Sequence, residues 1–93
     1  MKKLTKSQIE EKMKSFEGWD YGENAIHTSL EFADFKDAFA VMTRIAFEAE
    51  KLNHHPDWNN VYNTINISLS THDAGGVTEK DFELAAIIDT LVS

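Results

Sequence analysis

Three of the chain's four histidines fall in two short polar segments. Glu50-Lys51-Leu52-Asn53-His54-His55-Pro56-Asp57-Trp58 carries His54 and His55, and Ser70-Thr71-His72-Asp73 carries His72. Histidine changes charge near neutral pH, so a converging group can donate and accept protons. Pro56 disfavours helical geometry at His55 and stiffens the segment, which helps hold side chains in set directions. Glu50 lies about one helical turn before His54 and can orient or polarise an imidazole; Asp73 and Asp81 could do the same. The fourth histidine, His27, lies on the polar side of an early strand and reads as ordinary surface.

Two other chemistries compete for these residues. Three histidines and a carboxylate could ligate zinc or iron. Adjacent histidines on an extended segment rarely present both rings to one metal, and no His-x-His or His-x-x-x-His spacing occurs, so no metal is expected. The chain has no cysteine, which excludes thiolate catalysis and disulfides. A lone loop histidine is more often solvated than functional, so the reading depends on convergence. Trp58 could be core or the wall of a pocket for a flat ring.

The elements that must bring the segments together follow from periodicity. Thr5-Lys6-Ser7 starts a short helix with Ile9, Met13 and Phe16 on one side, and Gly18 is expected to end it. Trp19 to Tyr21 reads as a short strand and Gly22-Glu23-Asn24 as a turn. Ile26, Thr28, Leu30 and Phe32 alternate with polar residues, the period of a half-buried strand. After Asp34, a candidate N-cap, the period changes. Phe35, Ala38, Phe39, Met42, Ile45, Ala46, Ala49 and Leu52 form a helical stripe, with Val41 and Phe47 outside it. A helix apolar on more than one face suggests a second contact, such as another subunit.

Trp58–Tyr62 and Thr64–Ser70 read as two strands joined tightly near Asn63, whose open ends carry the two histidine segments. Gly75-Gly76 marks a turn, and Thr78 with Asp81 caps a final helix. Tight turns imply antiparallel pairing. The expected fold is therefore α+β: a single antiparallel four-stranded sheet with three helices packed on one face.

Composition narrows the setting. A chain of 93 residues fits one domain, residues 1–93, with a thin core that association could reinforce. The basic N-terminus lacks the apolar stretch of a secretory signal, and no apolar run approaches a membrane span. A formal charge of −7 argues against binding nucleic acid. The expectation is a cytoplasmic protein acting on a small molecule or another protein.

The segments Glu48 to Asn63 and Leu69 to Asp81, with Phe-Lys-Asp-Ala-Phe-Ala-Val-Met-Thr-Arg-Ile-Ala from Phe35 to Ala46, resemble the pterin-4a-carbinolamine dehydratase family. The resemblance runs from about Trp19 to Leu91; only the first helix is generic. It implies a lyase that removes water from 4a-hydroxytetrahydrobiopterin to give the quinonoid dihydropterin, after turnover of an aromatic amino-acid hydroxylase. By the same resemblance His54, His55 and His72 are the catalytic residues, with His54 and His72 moving protons and His55 positioning the pterin. Glu50, Pro56, Ser70, Thr71 and Asp73 join them in binding substrate. No cofactor or metal is implied, and a homo-oligomer, dimer or tetramer, is. The family's second role, stabilising dimers of a homeodomain transcription factor in animals, supplies a rival reading as a protein-binding module. Where close relatives in that family carry arginine this chain has Lys80, which keeps the charge but lacks the planar fork of a bidentate contact.

Overall fold

The computed structural model describes all 93 residues, Met1–Ser93. In chain order they form α1 (Lys6–Met13), β1 (Asp20–Gly22), β2 (Ala25–Glu31), α2 (Phe35–Leu52), β3 (Asp57–Val61), β4 (Thr64–Leu69), a 3-10 turn (His72–Ala74) and α3 (Glu79–Val92). The sheet is antiparallel throughout, in the order β1-β2-β4-β3. This is the expected α+β architecture of four strands and three helices.

Each element starts where its sequence offers a cap. Thr5 and Gln8 form a reciprocal capping box on α1, and Thr78 and Asp81 form one on α3. The Asp34 side chain accepts from the amide of Asp37 at the start of α2. Helix α1 stops at Met13, short of Gly18, and the chain continues in turns closed by bonds such as Ser15 N–H to Lys12 O and Phe16 N–H to Met13 O. The β1–β2 connection has Glu23 and Asn24 at φ 51° and 63°. Two consecutive positive φ values belong to a type I′ turn, whose twist matches paired strands.

Parity along the strands sorts the sheet into two faces. Ile26, Ile65, Ile67 and Leu69 are at most 1% exposed and pack with Ile45, Ala49, Leu84 and Ile88 of the helices. Each such Ile or Leu stabilises the fold by about 1.5–3 kcal/mol through burial. The opposite face carries His27, Ser29, Asn66, Ser68, Asp57 and Asn59, and no helix is seated on it.

The apolar stripe of α2 differs from the expected one. Ala38, Ile45 and Ala49 are buried, and Val41, Met42 and Leu52 pack against the core. Phe35 and Phe39 instead stack on each other outside, 46% and 54% exposed, and Phe47 is 66% exposed. The core stripe needs only the 38-41-42-45-49-52 spacing, so the phenylalanines one step round the helix form a separate outer ridge. No helix is long and apolar enough to cross a membrane.

Candidate active site

The β3–β4 hairpin sets the distance between the two histidine segments. Its last register pair is Asp57 with Ser68, so the chain entering β3 (His54 to Pro56) runs beside the chain leaving β4 (Leu69 to His72). How α2 ends decides which way each histidine turns. Asn53 adopts the left-handed conformation (φ 53°, ψ 44°), its amide donates to Glu50 O, and the His54 amide donates to Ala49 O. This pair of bonds is a Schellman motif, which ends the helix at a fixed angle. The Lys80 ammonium donates to Leu52 O at 3.2 Å, satisfying one of the carbonyls the helix end leaves free. Lysine at this position therefore ties α3 to the end of α2, a single-point contact that does not need a planar fork.

Beyond Asn53 the chain is extended, and successive side chains alternate. His54 turns toward the helices, where Nε2 meets Asp81 Oδ1 at 2.5 Å. Asp81 is fully buried, and its other oxygen accepts from the Thr71 hydroxyl and the Thr78 amide, both at 2.9 Å. A carboxylate only accepts, so His54 donates through Nε2 and keeps Nδ1 as its remaining ring nitrogen. Thr71 gives its proton to Asp81, so the Thr78 hydroxyl donates to Thr71 Oγ1 at 2.7 Å. One carboxylate thus joins the start of α3, the end of α2 and the end of β4.

His55 turns the other way, and its Nε2 bonds Glu50 Oε2 at 2.7 Å with both side chains largely exposed. Glu50 therefore orients His55; it is Asp81 that holds His54. His55 and His72 share a groove of about 550 Å³ on the open face of the sheet, with Pro56, Ser70, Ser68 and Asp57 in its lining. Ser70 donates to Asn24 O at 2.8 Å, closing the groove against the β1–β2 turn. Thr71 lies on the far side, bound to Asp81, and Asp73 sits exposed on the 3-10 turn outside the lining. His72 is the first residue of that turn, past the end of the strand, and its ring makes no hydrogen bond to the protein. The expected convergence therefore holds for two of the three: His55 and His72 face the groove, and His54 lies outside its lining, on Asp81.

His27 departs from the expected ordinary surface position. It is half-buried, lines the same groove, and bonds Ser68 Oγ at 2.7 Å and Gly22 O at 2.9 Å. The β2–β4 register, which pairs His27 with Ser68, brings it there. The shared polar parity of His27, Ser68 and Ser70 was visible in the sequence, but the pairing of those two strands was not. A larger hollow of about 660 Å³ lies along α2 beside Arg44, Phe47 and Leu91 and contains no histidine. No cluster of three or more His, Asp and Glu side chains is arranged to hold a metal ion.

Two histidines on an open groove and a third held by a buried carboxylate are groups able to donate and accept protons. Comparison with known proteins shows the family. The sequence model of the family described as pterin 4 alpha carbinolamine dehydratase matches residues 2–91, and the chain belongs to that family. A protein of Christiangramia forsetii named "Putative pterin-4-alpha-carbinolamine dehydratase" is 60% identical over 92 residues, 99% of this chain and 95% of that one. A relative of the same name in Burkholderia multivorans is 47% identical over 98% of this chain and 91% of its own. The crystal structure of a transcriptional coactivator/pterin dehydratase from Brucella melitensis superposes with a TM-score of 0.95 at 39% identity, covering 98% and 99% of the two chains. A pterin dehydratase-like RuBisCO assembly factor of the alpha-carboxysome, 22% identical with a TM-score of 0.70 over 82% of this chain and 90% of its own, shares the fold.

Replacing Asp81 by alanine leaves His54, Thr71 and the Thr78 amide without their acceptor. Urea unfolding of Asp81→Ala is expected to show a loss of about 3–5 kcal/mol, the usual cost of removing one side of a buried polar pair. A loss below about 1 kcal/mol, the worth of one ordinary hydrogen bond, would contradict the network.

Proposed function

We propose that this chain dehydrates 4a-hydroxytetrahydropterin to the quinonoid dihydropterin, on the pattern of its family. The observation that carries the reading is the groove shared by His55 and His72, with the neighbouring His54 held by Asp81. The reaction needs two proton transfers and nothing else. The C4a–O bond breaks as the leaving hydroxyl takes a proton and departs as water. The N5 lone pair forms the C4a=N5 double bond, and the N5 proton passes to a base. His72, whose ring is free of protein partners, and His54, through Nδ1, are the groups assigned to these transfers. His55, oriented by Glu50, holds the pterin in place. Pro56 and Ser70 complete the wall, while Thr71 acts through Asp81 and Asp73 takes no part in the lining. No metal or cofactor takes part.

The substrate, 4a-hydroxytetrahydrobiopterin, would come from an aromatic amino-acid hydroxylase, and the absence of cysteine suits a cytoplasmic setting. The outer ridge of Phe35, Phe39 and Phe47 supports association with further copies, as a dimer or tetramer. Members of the fold that act as binding proteins offer the rival reading of a module without catalysis. Such a module has no use for two histidines in one groove and a third on a buried carboxylate, and that favours the enzyme.

Stopped-flow absorbance of chemically generated 4a-hydroxytetrahydropterin tests the proposal. Micromolar chain is expected to accelerate the decay, with or without a chelator. His72→Ala is expected to lower that rate at least about tenfold, the scale of losing a general acid or base. No acceleration by the native chain would refute the enzymatic reading, and loss of rate on chelation would overturn the metal-free one. Light scattering is expected to give a mass above that of one chain; a monomer at high concentration would refute association.

A further inference from the structure

The groove extends past the histidines along the open face of the sheet. Its next row crosses all four strands at one level: Asp20 on β1, His27 on β2, Ser68 on β4 and Asp57 on β3, each paired with the next. His27 is fully engaged. A carbonyl only accepts, so Nε2–H donates to Gly22 O, and in the neutral ring Nδ1 accepts the Ser68 hydroxyl proton. The Ser68 oxygen is left with lone pairs only. Asp57 beside it has no side-chain hydrogen bond or ion pair, so its carboxylate is a free acceptor in the same lining. Glu23 also lines this groove, Asp20 flanks His27 from β1, and no lysine or arginine borders the cavity. A wall of acceptors without a cation calls for a ligand edge made of donors.

We propose that Ser68 and Asp57 bind the 2-amino-pyrimidinone edge of the pterin through its exocyclic amino group and adjacent ring N–H. His27 is a positioning residue that keeps the Ser68 hydroxyl turned away so that its lone pairs face the ligand. This assignment rests on the dehydratase reading and adds the feature by which the substrate is chosen. The exocyclic amine supplies donors where a lumazine, with oxygen in its place, presents an acceptor to the same carboxylate. Burying two acceptors against each other leaves both unpaired, which disfavours the lumazine.

The test is equilibrium binding of 7,8-dihydropterin and 7,8-dihydrolumazine, read by quenching of intrinsic fluorescence. The native chain is expected to prefer the pterin about tenfold or more, a factor on the scale of a hydrogen bond to a charged group. Ser68→Ala and Asp57→Asn are each expected to reduce that preference several-fold while circular dichroism stays native. His27→Phe should reduce it too, and His27→Gln, whose amide has both a donor and an acceptor, should restore it; a merely structural role would not follow that pattern. Equal binding of the two probes by the native chain, or an unchanged preference in Ser68→Ala and Asp57→Asn, overturns this assignment. If the equal-binding chain still accelerates dehydration, the dehydratase reading stands. Binding of neither probe overturns both.

Discussion

The buried carboxylate of Asp81 is the constraint on which the site depends. A fully buried acidic group is tolerated only when its oxygens are occupied, and here they take a ring N–H, a hydroxyl and an amide. Those three donors come from the end of α2, the end of β4 and the cap of α3. Satisfying one charge therefore fixes the start of α3 to the end of β4, ten residues back, and to the end of α2, 27 residues back. The capping box that starts α3 and the anchor that holds His54 are the same side chain.

From that anchor the layout of the groove follows by alternation. With His54 turned inward, the extended chain before Pro56 must turn His55 outward. Thr71 turned inward likewise places Ser70 on the open face with Ser68. A one-residue slip in the β3–β4 register would exchange these faces, turning His55 inward and away from the groove that it shares with His72. The alternating apolar residues Ile65, Ile67 and Leu69 prevent the slip, because exposing them would forfeit the core. Core packing and site geometry are thus specified by the same residues.

Much of this was legible in the sequence, and the failures have identifiable causes. Period-two runs and caps located the strands and α3, because each depends on residues within a few positions. The meeting of His55 and His72 in one groove needs only the hairpin near Asn63, whereas the turn of His54 onto Asp81 does not follow from it. The place of His27 depends on β2 pairing with β4, a contact between segments about 40 residues apart that strand periodicity does not specify. The spacing of Phe35 and Phe39 fits a helix face as well as that of the core residues does. Only the packed structure shows that Val41 and Met42 already fill that space. Asp81 was visible as a cap and named as a possible partner for an imidazole, but its bond to His54 depends on how α2 ends.

Under the proposed function Asp81 serves two ends at once, holding His54 for proton transfer and starting α3. Asp81→Asn separates the two, because asparagine keeps the size and a capping oxygen but loses the charge that orients His54. The direct measurement is the decay rate of 4a-hydroxytetrahydropterin with equal concentrations of native and Asp81→Asn chain, both verified as folded. The account predicts acceleration by the native chain and at least about tenfold less by the variant, in line with losing the group that supports a catalytic histidine. Equal rates from the two folded chains would contradict it.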